Sequence, residues 1–216
     1  MIYDRDIQSG KRCLLPADIG MDLREIFQVM SLCDPDFLTD KALTFHVPPV
    51  DLQEAWMAWM DRVFFPKIGE RMLRTHSLAW RDCSYEIRKI DRQLSESLTA
   101  PLRFASESAG SLLLTDFIPP AGTRVLPRML RWHLDGEIPA NYAIVFAIRC
   151  AIFHIPKSQM LCAYLYKEWQ CGASDLVKET DLPEVSGVFQ RLKLSAFKDV
   201  NLLLRENEPD LSAPVL

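Results

Sequence analysis

An all-α fold is predicted for this chain of 216 residues, a single-domain bundle of about nine or ten helices. Three observations predict it. Apolar residues recur at three- and four-residue spacing along most of the chain. Strict alternation over a strand length occurs nowhere. Only 8 glycines against 14 prolines suits many helix boundaries and few hairpins.

The elements follow in order. Residues 22–33, "DLREIFQVMSLC", put Leu23, Ile26, Phe27 and Met30 on one face. Asp51 is placed to cap "LQEAWMAWMDRVFF", whose apolar stripe is Leu52, Ala55, Trp56, Trp59, Met60 and Val63. That Trp/Met stripe reads as core or interface rather than as a cofactor box. Pro66 is expected to open a new helix carrying Ile68, Met72, Leu73 and Leu78. In "DCSYEIRKIDRQLSES" the apolar positions are Ile87, Ile90 and Leu94. Thr99 should cap the next helix, with Pro101 in its first turn, where a missing N–H costs nothing. "TDFIPPAGTR" is the clearest loop. Shorter helices are expected within 184–194 and 197–206, and residues 1–20 and 207–216 should be loosely ordered.

The most apolar stretch is "NYAIVFAIRCAIFHIPKSQMLCAYLYKEW", from 141 to 169. A membrane span needs about 20 apolar residues, but Arg149, His154 and Pro156 interrupt this one. It is expected to form a central helical hairpin of 139–154 and 156–171, broken because a proline disfavours helical geometry in the residue before it. Arg149 then needs a partner or an exposed edge, since a buried charge without one is costly. Tyr164 and Tyr166, two residues apart, cannot share a helical face, so one should point inward and the other outward.

Composition excludes several functions. The formal charge of −4, with Lys and Arg scattered among acids, does not suit a nucleic-acid binder. The first residues carry no long apolar core of the secretory kind, so a cytoplasmic protein is expected. Six cysteines, at 13, 33, 83, 150, 162 and 171, form no C-x-x-C. Cys150 and Cys162 read as small core residues rather than as metal ligands or redox thiols. Histidines 46, 76, 133 and 154 are isolated, and no metal, cofactor or catalytic residue is assigned. Acids such as Asp34 and Asp36 read as solvated loop residues.

A family resemblance extends this. "YEIRKIDRQLSESLTAPLRFASESAGSLLL" resembles the central part of the urease accessory protein UreF family, which reads there E-x-R-x-A-S-x-x-x-G-x-x-L after a Leu/Ile–Asp helix. Asp91, Leu94, Thr99, Arg103, Ala105, Ser106, Gly110 and Leu113 match, while Pro101 stands in place of the acid. "NYAIVFAIRCAIFHIPKSQMLCAYLYKEWQCGASDLVKETDLPEVSG" is similar to the family's H-Y-x-V-x-F-x-x-x-A-x-x-G-I-x-x-x-x-A-x-x-x-Y-L-Y block. Tyr142, Ala151, Ile155, Tyr164, Leu165, Tyr166, Lys178 and Gly187 correspond there. Near the start, "SLCDPDFLTDKALTFH" keeps the family's Ser31 and Pro35 but has Phe37, Ala42, Thr44 and His46 where two glycines, a serine and a glutamate belong. Val188 replaces the glutamine after Gly187, and the family's H-E and R-L-F tail elements have no counterpart.

The resemblance implies a helical, homodimeric, non-enzymatic accessory protein that joins a UreG-like nickel-loading GTPase to a UreD/UreH-like scaffold and the urease apoprotein. Nickel would be cargo of that complex and not a ligand of this chain. Arg103, Tyr166 and Lys178 are the expected interface residues, and Ser31, Pro35, Ser106, Gly110, Tyr164 and Gly187 the structural ones. Gly110 costs a helix about 1 kcal/mol relative to alanine, so either a close helix approach or an exposed, neutral site explains it. Two other readings stand beside this one: an all-helical adaptor with different partners, and a helical enzyme built from scattered residues such as His46, Arg103 and Tyr166.

Overall fold

Helix accounts for most of the backbone in the computed structural model, which describes residues 23–34, 44–45, 52–116 and 123–172; no strand occurs among them. The elements are α1 (Leu23–Cys33), α2 (Leu52–Trp59), a π-helical segment (Met60–Gly69), α3 (Glu70–Trp80), α4 (Ser84–Ser97), α5 (Ala100–Thr115), α6 (Val125–Leu134), α7 (Tyr142–Ile152) and α8 (Lys157–Gly172). Trp59, Gly69 and Glu70 all keep right-handed helical dihedrals, so α2, the π segment and α3 form one unbroken rod. The helices expected within 184–194 and 197–206, the chain ends 1–20 and 207–216, and the capping role of Asp51 lie outside the described residues.

The rod corrects the expectation that Pro66 opens a helix. Pro66 sits inside the π segment, exposed to solvent. The reason lies in the buried face: Trp56, Met60, Phe64, Ile68, Met72 and His76 are all buried and follow one another at a spacing of four. An α-helix turns about 400° in four residues, an overshoot of about 40° per step and about 200° over the five steps. A pure α-helix would carry this stripe round to solvent. Underwinding to i→i+5 bonding keeps the stripe on the core, and the wider turn accommodates a residue that has no N–H to donate.

Helix α7 lies at the centre. Every side chain from Tyr142 to Ala151 is buried. Its principal neighbours are α3 and α5, with α1, α4, α6 and α8 completing the surround. Helix α8 follows it after a short turn, touches α7 and packs most extensively against α1. The two expected helices are therefore present, and the extensive packing of α7 is with earlier parts of the chain.

Helix boundaries are set by local and distant groups. Asp82, Gly136 and His154 adopt φ of 54°, 71° and 57° just beyond α3, α6 and α7. In each case the next residue's N–H reaches five residues back, as in Ile155 to Cys150 O at 2.8 Å, which closes the helix end. Thr99 does precede α5, with Pro101 at its start, but its side chain makes no capping bond. Helix α7 begins at Tyr142, three residues later than Pro139 suggests. Ala140 has a φ of 62°, and the Asp91 carboxylate of α4 accepts the N–H groups of Ala140 and Asn141 at 2.9 and 2.8 Å.

Among the described residues no helix is long and apolar enough to cross a membrane.

Candidate functional site

Three regions carry the residues singled out by sequence. The first is the junction of α4, α5 and the start of α7. Gly110 on α5 packs so closely against the chain entering α7 that a Cβ there would lie 2.6 Å from the Asn141 carbonyl carbon. It would come nearer still to the Ala140 oxygen and the Tyr142 nitrogen. The exposed reading of Gly110 is thereby excluded. Asp91, fully buried, takes the Asn141 side-chain amide at 2.9 Å as well as the two backbone N–H groups. Burial pushes the Asp91 carboxyl up to about 6; the bonds to Asn141 and Ala140 oppose this and the Glu107 charge adds to it. Ser95 donates to Glu107 nearby, and Ser106 is buried on α5. Asp91, Gly110 and Tyr142, which come from separate stretches of sequence, thus converge on one turn of backbone.

The second region is a buried polar network between α1, α7 and α8. Tyr142 Oη donates to Asp34 Oδ2 at 2.7 Å, and Lys167 Nζ lies 3.7 Å from the same oxygen. Asp34 is 6% exposed and Lys167 3%, so the reading of Asp34 as a solvated acid is corrected. Arg149 is equally buried and donates from Nη1 to Leu113 O at 3.0 Å. Desolvation lowers its pKa, while the neighbouring Cys33, Asp34, Tyr142 and Cys150 act in the opposite sense. One turn beyond Tyr164, Glu168 accepts the Thr44 N–H at 2.9 Å, the Thr44 hydroxyl at 2.6 Å, the Phe45 N–H at 2.9 Å and Tyr164 Oη at 2.5 Å. Burial raises Glu168 and these donors pull it back. Both tyrosine hydroxyls are pushed well above their ordinary range, first by burial and then by the carboxylates they face. The chemistry of this network is that of a buried ion pair and hydrogen bonds tying the end of α1, residues 44–45, α7 and α8 together.

The third region is the surface. Arg103 is exposed in the first turn of α5, next to Phe104 at 75% exposure. Leu112, further along the same helix, is 46% exposed. Tyr166 on α8 is half-buried and packs against the core, whereas Tyr164 is 1% exposed, so the two differ in depth but Tyr166 does not point freely outward. Helix α5 packs on α6 and α7, and α8 on α1, α3 and α7, so Arg103 and Tyr166 lie on helices with largely different neighbours. Ser31 is exposed on α1 and bonds back to Gln28 O at 3.0 Å. Lys178, Pro35, Gly187 and His46 lie outside the described residues.

Sequence reasoning misread Asp34 and passed over Lys167 and Glu168. The available signal was a Lys–Glu pair inside the apolar run "AYLYKEW", where two adjacent charges on an otherwise buried helix require partners. No family model, no curated protein and no solved structure matches this chain.

Proposed function

We propose that this chain is a non-enzymatic helical adaptor of the kind its UreF-like motifs imply, coupling a nickel-loading GTPase and a scaffold protein to assembly of the urease metal centre. One observation carries the reading. Asp91, Gly110 and Tyr142, matched in two separate sequence blocks, meet at one backbone junction, where the carboxylate and the missing side chain each have a geometric reason. The exposed, adjacent Arg103 and Phe104 on α5 supply the cationic and aromatic make-up that interface anchors use.

The finer parts of this reading are a cytoplasmic homodimer, a full bundle of about nine or ten helices around the 139–171 hairpin, and interface roles for Arg103, Tyr166 and Lys178. Calorimetric titration and pull-down against a UreG-like GTPase and a UreD/UreH-like scaffold test it. Arg103→Ala or Tyr166→Ala, in folded protein, should weaken binding about thirtyfold, the equivalent of about 2 kcal/mol. Light scattering should give twice the chain mass. Absence of binding by the unaltered protein would reject the urease role.

A second reading, an adaptor with other partners, is favoured by Thr44. It stands in the stretch that departs most from the family, yet it is buried and bonded through both its N–H and its hydroxyl to Glu168. Thr44 and the neighbouring Phe45 are built into this chain's own core.

A further inference from the structure

Cys33 and Cys150 are 117 residues apart in sequence, yet their sulfurs lie 3.6 Å from each other, both fully buried. Cys33 is the last residue of α1, and Cys150 lies in the central helix α7. A disulfide requires about 2.0 Å between sulfurs, so an approach of about 1.6 Å at one helix end closes the gap. The neighbouring groups are the Arg149 guanidinium and the Asp34 carboxylate. Helix α1 is a surface element, with Gln28, Ser31 and Leu32 exposed on its outer face. The other described cysteines differ: Cys83 is half-buried beyond α3, while Cys162 and Cys171 are buried in α8.

We infer that Cys33 and Cys150 form a thiol–disulfide modification site that staples α1 to α7 when the protein meets a low-molecular-weight disulfide such as oxidised glutathione. The site is independent of the adaptor reading. In the closed fold neither sulfur is open to solvent. Burial pushes the Cys150 thiol well above its ordinary range, and the Arg149 charge offsets only part of this. Reaction therefore starts from local opening of α1, which brings Cys33 to solvent. The Cys33 thiolate attacks one sulfur of the oxidised glutathione, forming a mixed disulfide and expelling one glutathione thiolate. Reclosing sets the Cys150 sulfur against that mixed disulfide. The Cys150 thiol gives up its proton, its sulfur bonds to Cys33, and the second glutathione leaves as thiolate. Two protein thiols have lost two electrons and two protons, and one glutathione disulfide has become two thiols.

The test uses the unaltered chain, so it does not depend on a variant folding. Folded protein is incubated with oxidised glutathione, quenched in acid, alkylated under denaturing conditions and digested, and the linked peptides are mapped by mass spectrometry. The expected product is a Cys33–Cys150 crosslink as the main intramolecular disulfide, reversed by dithiothreitol and accompanied by a higher urea midpoint. Cys83 serves as the internal control for a glutathione adduct on an accessible thiol. Cys171→Ser should leave the crosslink unchanged, and Cys33→Ala should remove it without creating another pair of Cys150. The inference is overturned if Cys33 and Cys150 remain alkylatable while Cys83 is fully modified. It is equally overturned if Cys150 pairs with Cys162 or Cys171, or if the link forms only in urea-unfolded protein.

Discussion

Single side chains hold two of the tightest places in this molecule. At Gly110 a methyl group gains about 1 kcal/mol of helix propensity but meets the backbone of residues 140–142, which cannot move aside as a side-chain tip can. Gly110→Ala should therefore be destabilising by about 1–3 kcal/mol in urea unfolding, and a more stable variant would refute the close packing. Glu168 is the opposite case, a buried carboxyl group on which four donors converge. Glu168→Ala strands the buried N–H groups of Thr44 and Phe45 and should cost about 3 kcal/mol or more; a loss below about 1 kcal/mol would show that those donors find other acceptors. Gly110 was legible as a candidate, because glycine inside a helix demands a reason. Glu168 was signalled only by a charge inside an apolar run, because its Thr44 and Phe45 donors lie 124 and 123 residues away.

At the scale of elements, α1, α4 and α5 could be read from apolar spacing, since each keeps one face buried over about three or four turns, whereas α6 (Val125–Leu134) was passed over. The rod from 52 to 80 could not be read that way. Its buried residues recur every four positions, a period that matches no α-helix, and a reader holding to 3.6 breaks it at Pro66. This makes a prediction about that proline. Removing a proline from an α-helix interior should recover about 3 kcal/mol. Here the wide turn already accommodates Pro66, and its side chain is exposed. Pro66→Ala should change stability by less than about 1 kcal/mol, measured by urea denaturation. A gain near the full amount would mean that the rod is strained at that point. The start of α7 escaped sequence reading for a different reason: the group that caps it sits on α4, so no local pattern around Pro139 could reveal it.

For the molecule as a whole, acid sensitivity is a balance between buried groups of opposite tendency. His76 donates from Nε2 to Ile155 O at 2.8 Å, while Nδ1 meets no donor or acceptor among the described residues. Burial, with the Lys157 charge assisting, lowers its pKa from 6.5 to about 4. Between those values the unfolded chain binds the proton and the native one does not. The stability His76 contributes is complete above pH 6.5 and is lost as pH falls towards 4, about 3 kcal/mol at full extent. Asp91 is raised from 3.8 to about 6, so the native state holds the extra proton. Its contribution is present at low pH and lost as pH rises through 6, again about 3 kcal/mol. Glu168, raised by burial, acts in the same sense as Asp91. His76→Gln should make stability fall more steeply from pH 4 to 6.5 than in the unaltered protein. Asp91→Asn should tilt the same curve the other way. Denaturation midpoints across that range check both, and parallel curves would remove these two residues from the balance. The all-helical class was legible from composition and spacing, but this balance was not, because burial depends on which helices surround a residue.

The Asp91 tie has a consequence for the order in which the chain is made. The carboxylate precedes its two backbone donors by 49 and 50 positions, roughly 2.5–10 s of synthesis at the speed of a ribosome. A helix such as α4 forms within microseconds. The acceptor side is thus already in existence when residues 140 and 141 emerge, and the most apolar helix of the chain receives its starting point as soon as its first turn can fold. Were the order reversed, that helix would wait in water for its cap, with its apolar residues uncovered.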